Sequence, residues 1–160
     1  MGLGSSQKGK AVESLLAATC IIGSDGELSV SIPMVDDEGV DLIFTPKGGG
    51  RSIFVQVKSR FTLTGKGSYR SQIRKKNFHP RKDYYITFAY YDKANARLGD
   101  TLWFIPSLDF TDKLKGQSRE RPNYIFQSRF TSTGDMWRPY KVELKNLPKH
   151  ILRILRSGKW

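Results

Sequence analysis

Two neighbouring apolar segments with a glycine-rich connection constrain the fold of this chain more than any other part of its sequence. The segments are residues 40–45 and 52–60, and the connection between them, 46–50, consists of proline, lysine and three glycines. Apolar and β-branched segments bounded by such residues predict strands joined by a turn. We therefore expect a hairpin, which becomes a three-stranded meander if the alternating segment 28–32 is the preceding strand.

Polar residues interrupt both apolar segments. Asp41 stands near the start of the first, and Gln56 and Lys58 lie two residues apart in the second. Side chains two apart in a strand leave the same face, with their Cα atoms about 6.6 Å from each other. Carboxylate and amide oxygens suit Mg²⁺, and a neighbouring lysine can meet a phosphate or a water. These residues are a candidate site; alternatively, Gln56 and Lys58 lie on an edge strand and Asp41 caps a turn.

An acidic residue lies in the first predicted helix, 6–22, where apolar residues recur at helical spacing. Glu13 shares a face with Leu16, Ala17 and Cys20. Its carboxylate is therefore either partly covered, and available as an optional metal ligand, or a solvated acid on the helix surface.

The remaining segments predict further strands and two more helices. Residues 69–77 fit an extended segment better than a poorly packed helix, and 84–91 is apolar enough for a central strand. The other predicted elements are a neighbouring strand at 101–105, a short helix at 108–115, strands at 124–130 and 140–144, and an amphipathic helix at 147–156. No repeat or linker divides the sequence, so we expect a single domain over residues 1–160.

Positive charge is concentrated in the middle of the chain. The formal net charge is +12, and residues 58–82 contain nine Lys and Arg but no Asp or Glu. Such a basic segment favours a polyanionic partner, with nucleic acid first and an anionic membrane second, although a solvated basic surface is the alternative. Aromatic residues among these charges can stack on bases or anchor the segment, and we favour anchoring. The candidate nucleic-acid-binding residues are Lys66, Arg70, Arg74, Lys75, Lys76, Arg81 and Lys82.

Several other classes of protein are disfavoured. Cys20 is the single cysteine, and the two histidines, His79 and His150, lack the close spacing of a zinc motif. Glycines 48–50 are not followed by the Lys-Ser/Thr of a phosphate-binding loop. No apolar run approaches the roughly 20 residues of a membrane span, and Glu13 interrupts the segment that would otherwise resemble a signal peptide. We expect a cytoplasmic protein that does not bind membranes.

The arrangement of Glu13 in a helix, Asp41 at a strand start and Gln56-Val57-Lys58 fifteen residues later resembles the PD-(D/E)XK nuclease motif. Two positions depart from it, since Val40 replaces the proline and Gln56 the second acidic residue. The resemblance implies an α/β, restriction-endonuclease-like fold: an αβββαβ core over about residues 8–106, with a mixed central sheet flanked by helices. The 147–156 helix would belong to a C-terminal extension.

The resemblance also implies roles for the site residues. Asp41, Gln56 and the carbonyl of Val57 would hold Mg²⁺ or Mn²⁺, Glu13 would add the helix acid, and Lys58 would orient the attacking water. The implied activity is Mg²⁺-dependent endonucleolytic cleavage, of DNA rather than RNA, with a homodimer as one way to cut both strands. The alternatives are a non-catalytic nucleic-acid-binding module with the nuclease fold, and a basic scaffold for a protein partner.

Overall fold

The structure, a computed structural model, describes residues 4–35 and 38–158. Within these ranges the chain forms three α-helices and nine strands. The helices are α1 (Ser5–Gly23), α2 (Ser107–Lys113) and α3 (Leu147–Ser157). The strands are β1 (Leu28–Ser31), β2 (Leu42–Pro46), β3 (Ile53–Arg60), β4 (Ser68–Arg74), β5 (Tyr84–Asp92), β6 (Arg97–Leu98), β7 (Thr101–Pro106), β8 (Asn123–Arg129) and β9 (Lys141–Glu143).

A mixed sheet forms the centre of the molecule. Its strand order is β1-β2-β3-β5-β7-β9, and the short β6 pairs with β5. Strands β3 and β5 are parallel, while the other neighbouring pairs are antiparallel. The predicted meander and the central position of the aromatic strand β5 are thereby confirmed.

Helices α1 and α3 cover one face of this sheet. The alternation of β3 sends Ile53, Val55 and Val57 to that face, where they pack with Val12 and Leu16 of α1. Ile151 of α3 is fully buried in the same apolar cluster. The opposite face of β3 therefore carries Phe54, Gln56 and Lys58.

A second, aromatic layer covers the opposite face of the sheet. Strands β4 and β8 form a two-stranded antiparallel sheet, and α2 lies in the same layer. Phe126 of β8 stacks on Phe88 of β5 with ring centroids 3.8 Å apart. Tyr69 of β4 contacts the rings of Phe88, Trp103 and Phe126. Of the aromatic residues among the basic charges, Tyr69 and Phe78 are buried, as the anchoring prediction requires, whereas His79 is exposed.

The mixed central sheet flanked by helices is as predicted, but one element of the expected αβββαβ order differs. The chain between β3 and β5 contains the strand β4, not a second core helix. The reason is the period-two pattern of this segment, which buries Tyr69, Ser71 and Ile73 and leaves Arg70 and Arg74 exposed. The extended conformation expected for residues 69–77 holds as far as Arg74, after which 75–77 form a 3-10 turn.

In residues 4–35 and 38–158, no helix is both long and apolar enough to cross a bilayer.

Candidate active site

Asp41 lies where strands β2 and β3 separate. The β2–β3 pairing ends at Leu42 and Val55, so the Val57 amide lies beyond the last pair. The Val57 N–H donates a hydrogen bond to Oδ2 of Asp41 at 2.7 Å, and the Asp41 N–H donates to the Val55 carbonyl at 2.9 Å. These contacts fix the carboxylate against the backbone segment between Gln56 and Lys58.

Gln56 and Lys58 line one cavity on the face of the sheet opposite α1. The cavity has a volume of about 480 Å³, and its lining comprises Gly39, Gln56, Lys58, Gln72, Arg74, Asn77 and Asn123. The prediction that Gln56 and Lys58 share a face is confirmed. Asp41 is not among the lining residues; its carboxylate contacts this part of β3 through the amide of Val57, the residue between Gln56 and Lys58.

Gly39 allows the chain before Asp41 to approach Gln56 closely. Its φ of +71° lies in the left-handed region, which a glycine adopts without steric cost. A Cβ at this position would lie 2.6 Å from Nε2 of Gln56. A Cβ at position 39 would therefore displace the Gln56 side-chain amide from this position.

Residues from β5 and its preceding loop support this part of the chain. The Tyr84 hydroxyl donates to the carbonyls of Glu38 and Gly39, at 3.3 and 3.2 Å. Arg81 forms ion pairs with Glu38 and Asp83, and its guanidinium stacks on the rings of Phe54 and Tyr84. Tyr84 of the central strand β5 thus fixes the position of Gly39.

Tyr69 constrains the backbone of Lys58. Its hydroxyl donates a hydrogen bond to the Lys58 carbonyl at 2.8 Å. Burial strongly raises the pKa of Tyr69, so the phenol keeps the proton that this hydrogen bond requires. Strand β4 therefore positions the lysine through a rigid, buried side chain.

Glu13 lies apart from this cavity. It is only 6% exposed, on the face of α1 that packs against the sheet, so the solvated alternative does not describe it. Its Oε2 accepts a hydrogen bond from Lys10 at 2.7 Å. The helix contacts the face of β3 formed by Val55 and Val57, and Glu13 does not line the cavity of Gln56 and Lys58. A role for Glu13 in metal binding stays a prediction.

The chemistry of the cavity fits a hard divalent cation. Oε1 of Gln56 is buried and has no hydrogen-bond partner within the protein, whereas buried polar atoms in native proteins usually bond to the protein, a water or an ion. An amide oxygen is a ligand type that Mg²⁺ and Mn²⁺ accept, and the Asp41 carboxylate, which accepts from the amide of the next residue, is another. Within residues 4–35 and 38–158, no cluster of three His, Cys, Asp or Glu side chains is arranged for a metal. A metal at this site would therefore need the Gln56 amide and backbone oxygens.

The seven predicted nucleic-acid-binding residues are in different environments. Arg70 and Arg74 extend from the exposed face of β4, and Arg74 also lines the cavity. Two residues are engaged within the protein: Lys75 donates to the Ser118 carbonyl and lies 5.0 Å from the centre of the Tyr124 ring, and Arg81 forms the ion pairs described above. The others, Lys66, Lys76 and Lys82, are exposed.

Four residues that line the cavity were not predicted from the sequence. Gly39, Asn77 and Asn123 lie outside the apolar segments that drew attention to Asp41 and Gln56. Gln72 did carry a signal, since it alternates with the buried Ser71 and Ile73 and so shares a face with Arg70 and Arg74.

The fold matches a solved structure. A bacterial homing endonuclease, I-Ssp6803I, aligns with a TM-score of 0.57 over 94% of each chain, at 15% sequence identity. This chain shares the fold of a homing endonuclease. At that identity the likeness concerns the fold alone. A scan against protein-family models finds no match, and neither does a search of curated protein sequences.

Proposed function

We propose that this protein is a Mg²⁺-dependent DNA endonuclease of the PD-(D/E)XK type. The observation that carries the proposal is the buried, unpartnered Oε1 of Gln56, a residue that lines a cavity with Lys58 and precedes Val57, whose amide donates to the Asp41 carboxylate. The fold shared with a protein named as a homing endonuclease supports DNA as the substrate.

Each site residue has a distinct role in the proposed hydrolysis. Asp41, Gln56 and the Val57 carbonyl would hold Mg²⁺ or Mn²⁺, with Glu13 as an additional acid. When bound, the metal would supply Lewis-acid stabilisation of charge at the phosphate. Lys58 donates a hydrogen bond to the attacking water and offsets the negative charge that grows on the phosphate oxygens. Water forms the new P–O bond and loses a proton to the solvent, the bond to the 3′ oxygen breaks, and the leaving oxygen takes up a proton from a solvent water.

The neighbouring residues make this arrangement rigid. Tyr69 holds the Lys58 backbone, Val57 holds the Asp41 carboxylate, and Gly39 packs against Gln56. A site held in place before substrate binds loses less free energy to reorganisation during the reaction. One such site cuts one strand, so cleavage of both strands would use a homodimer or two successive nicks.

The test is nicking of supercoiled plasmid by the purified full chain with and without Mg²⁺. We expect metal-dependent conversion to open circles, reduced at least about 100-fold by Asp41→Asn and by Lys58→Ala, because each removes a group needed at the phosphate. Lys149→Ala changes an exposed lysine on α3 and is the matched control. Wild-type nicking no faster than that of Lys58→Ala would contradict the proposal.

A second candidate is a DNA-binding module that retains the fold without cleavage. It is favoured by one observation: in the described part of the chain, no group of three metal-binding acids, histidines or cysteines is present. Gln56 also contributes no negative charge. This candidate predicts that Mg²⁺ leaves DNA affinity unchanged and that calorimetric titration with Mn²⁺ gives no heat of binding. The nuclease proposal predicts a binding heat that Asp41→Asn abolishes.

A further inference from the structure

The two-stranded sheet β4–β8 has an outward face composed of side chains that are suited to contact bases. In the antiparallel register Arg70 lies opposite Gln127, and Arg74 lies opposite Asn123. Gln72 lies between the two arginines on the same face, opposite the half-buried Ile125. Neither strand contains an aspartate or glutamate. We name this outward face of residues 68–74 and 123–129 the ribbon face.

The inner face of the same sheet fixes it to the protein. Tyr69 and Phe126 are fully buried in the aromatic layer, and Ile73 is 1% exposed. Arg60 Nε donates to the Arg70 carbonyl at 2.6 Å, linking β4 to the end of β3. The ribbon face is thus a rigid platform, whereas its arginine side chains at positions 70, 74 and 129 extend to solvent.

The polar groups of the ribbon face are not committed to interactions with the protein core. The Asn123 side-chain amide donates to Oε1 of Gln72 at 2.9 Å, and the Gln127 amide donates to the Ser68 hydroxyl at 3.2 Å. The first bond joins neighbours on the exposed face, and the second joins the exposed Gln127 to the buried Ser68. Each amide retains further donor or acceptor capacity for a ligand, because an amide group has two donor hydrogens and two acceptor lone pairs.

The dimensions and composition of the ribbon face match the major groove of duplex DNA. Seven residues in a strand extend about 20 Å, the rise of about six base pairs. A two-stranded ribbon fits the major groove, which is about 12 Å wide. Arginine pairs with guanine edges there, and glutamine or asparagine with adenine edges. A surface that only follows phosphates would not need amides between its arginines.

The ribbon face also adjoins the candidate active site. Gln72, Arg74 and Asn123 line the same cavity as Gln56 and Lys58. Bases held against Arg70 and Arg74 would therefore place a backbone phosphate of the same duplex near Lys58. This continuity connects the site of base contact with the site of cleavage.

We propose that the ribbon face enters the major groove of duplex DNA and reads base sequence, chiefly through Arg70, Gln72, Arg74 and Gln127. The proposal deepens the proposed function by naming a sequence-specific duplex as the substrate, and it rests on that function for the cleavage step alone. Base reading itself requires no metal, so binding and cleavage are tested separately.

The test selects bound molecules from a random-sequence DNA duplex library with the full chain in EDTA, followed by sequencing. We expect an enriched motif of about six base pairs. Arg70→Lys and Arg74→Lys keep the charge but lose the planar donor pair that contacts guanine. Each should weaken the preference for one base about tenfold or more, and leave the preferences at other positions unchanged. Arg153→Lys on α3 is the matched control, and unfolding midpoints verify that each variant is folded.

The two proposals fail in different ways. An enriched motif without plasmid nicking would remove the nuclease and leave the ribbon face as a reader of sequence. Nicking without any enriched motif would overturn base reading while the nuclease proposal stands. A motif that both arginine variants select unchanged would also overturn the proposal, because the specificity would then reside elsewhere. Binding to single strands alone would exclude a major-groove ligand.

Discussion

At the scale of single residues, the site depends on how closely the backbone approaches Gln56. Gly39 has a left-handed φ of +71°, and a Cβ there would lie 2.6 Å from Nε2 of Gln56. Gly26 has a similar φ of +76° but no atom within 4 Å of the corresponding Cβ position. A substitution at either glycine strains the backbone, but only one at Gly39 also displaces the Gln56 amide.

We predict that Gly39→Ala lowers nicking activity by at least about tenfold, whereas Gly26→Ala leaves it near wild type. Both substitutions should lower the free energy of unfolding by about 1 kcal/mol, because alanine is disfavoured at positive φ. Chemical denaturation and plasmid nicking measure the two effects. Equal activity of the two variants would show that the Gln56 position has no role in the reaction.

Some features of the site were predictable from single residues, and others were not. The two-residue spacing of Gln56 and Lys58 predicted their common face, because strand alternation depends only on local backbone geometry. The contact of Gly39 with Gln56 could not be predicted in this way, since it depends on where β2 and β3 separate. The sequence allowed Glu13 to be either a covered or a solvated acid. In the structure it is buried on the side of α1 that faces the sheet.

At the scale of secondary-structure elements, helices α1 and α3 form the layer opposite the site. His150 of α3 is half-buried, with its ring 5.8 Å from that of Phe104 on β7. Burial first, and then the charge of Arg153, lower the pKa of His150 below its ordinary value. The neutral imidazole is therefore favoured in the folded state.

This shift gives a prediction for stability. A histidine with a depressed pKa contributes stability that is present above its unfolded pKa of about 6.5 and is lost as pH falls. His150→Gln should therefore show a smaller loss of unfolding free energy between pH 7 and pH 5 than the wild type. His79→Gln, at the other and exposed histidine, is the control. Parallel denaturation curves for wild type and His150→Gln across this range would contradict the prediction.

The elements themselves were predictable to different degrees. The meander, the aromatic β5 and the amphipathic α3 carry strong local patterns, and the structure contains all three. The pairing of β4 with β8 joins residues about 50 positions apart, as in the hydrogen bond between Asn123 and Gln72. Nothing local specifies such a partner, so the sequence indicated an extended segment but not the ribbon face. The expected second core helix is absent between β3 and β5 for the same reason, because the distant strand β8 stabilises β4.

At the scale of the whole molecule, the net charge of +12 includes exposed lysines on the side of the sheet that carries the candidate site. Lys76 precedes Asn77 of the cavity, and Lys82 lines a second pocket with Phe54, which shares a face of β3 with Gln56. Cations that contact phosphates release condensed counterions, which makes DNA affinity fall as salt rises. Lys149, on α3 against the opposite face, lies outside this surface.

We predict that the slope of log affinity against log salt for duplex DNA becomes less negative by about 2 in Lys76→Ala/Lys82→Ala, because each phosphate that a lysine neutralises contributes about 0.9 to the slope. Lys149→Ala should leave the slope unchanged. Fluorescence anisotropy over a series of salt concentrations measures it. An unchanged slope in the double variant would place the phosphate-binding cations on another surface.

The proposed nuclease activity requires a divalent metal held between Asp41 and Gln56. The most direct measurement is anomalous scattering from crystals of the full chain grown with Mn²⁺, compared with crystals of Asp41→Asn. We predict one strong anomalous peak within coordination distance, about 2.2 Å, of Oε1 of Gln56 and of the Asp41 carboxylate. The variant should lack the peak. A fully ordered Gln56 side chain with no anomalous density beside it at saturating Mn²⁺ would contradict the account.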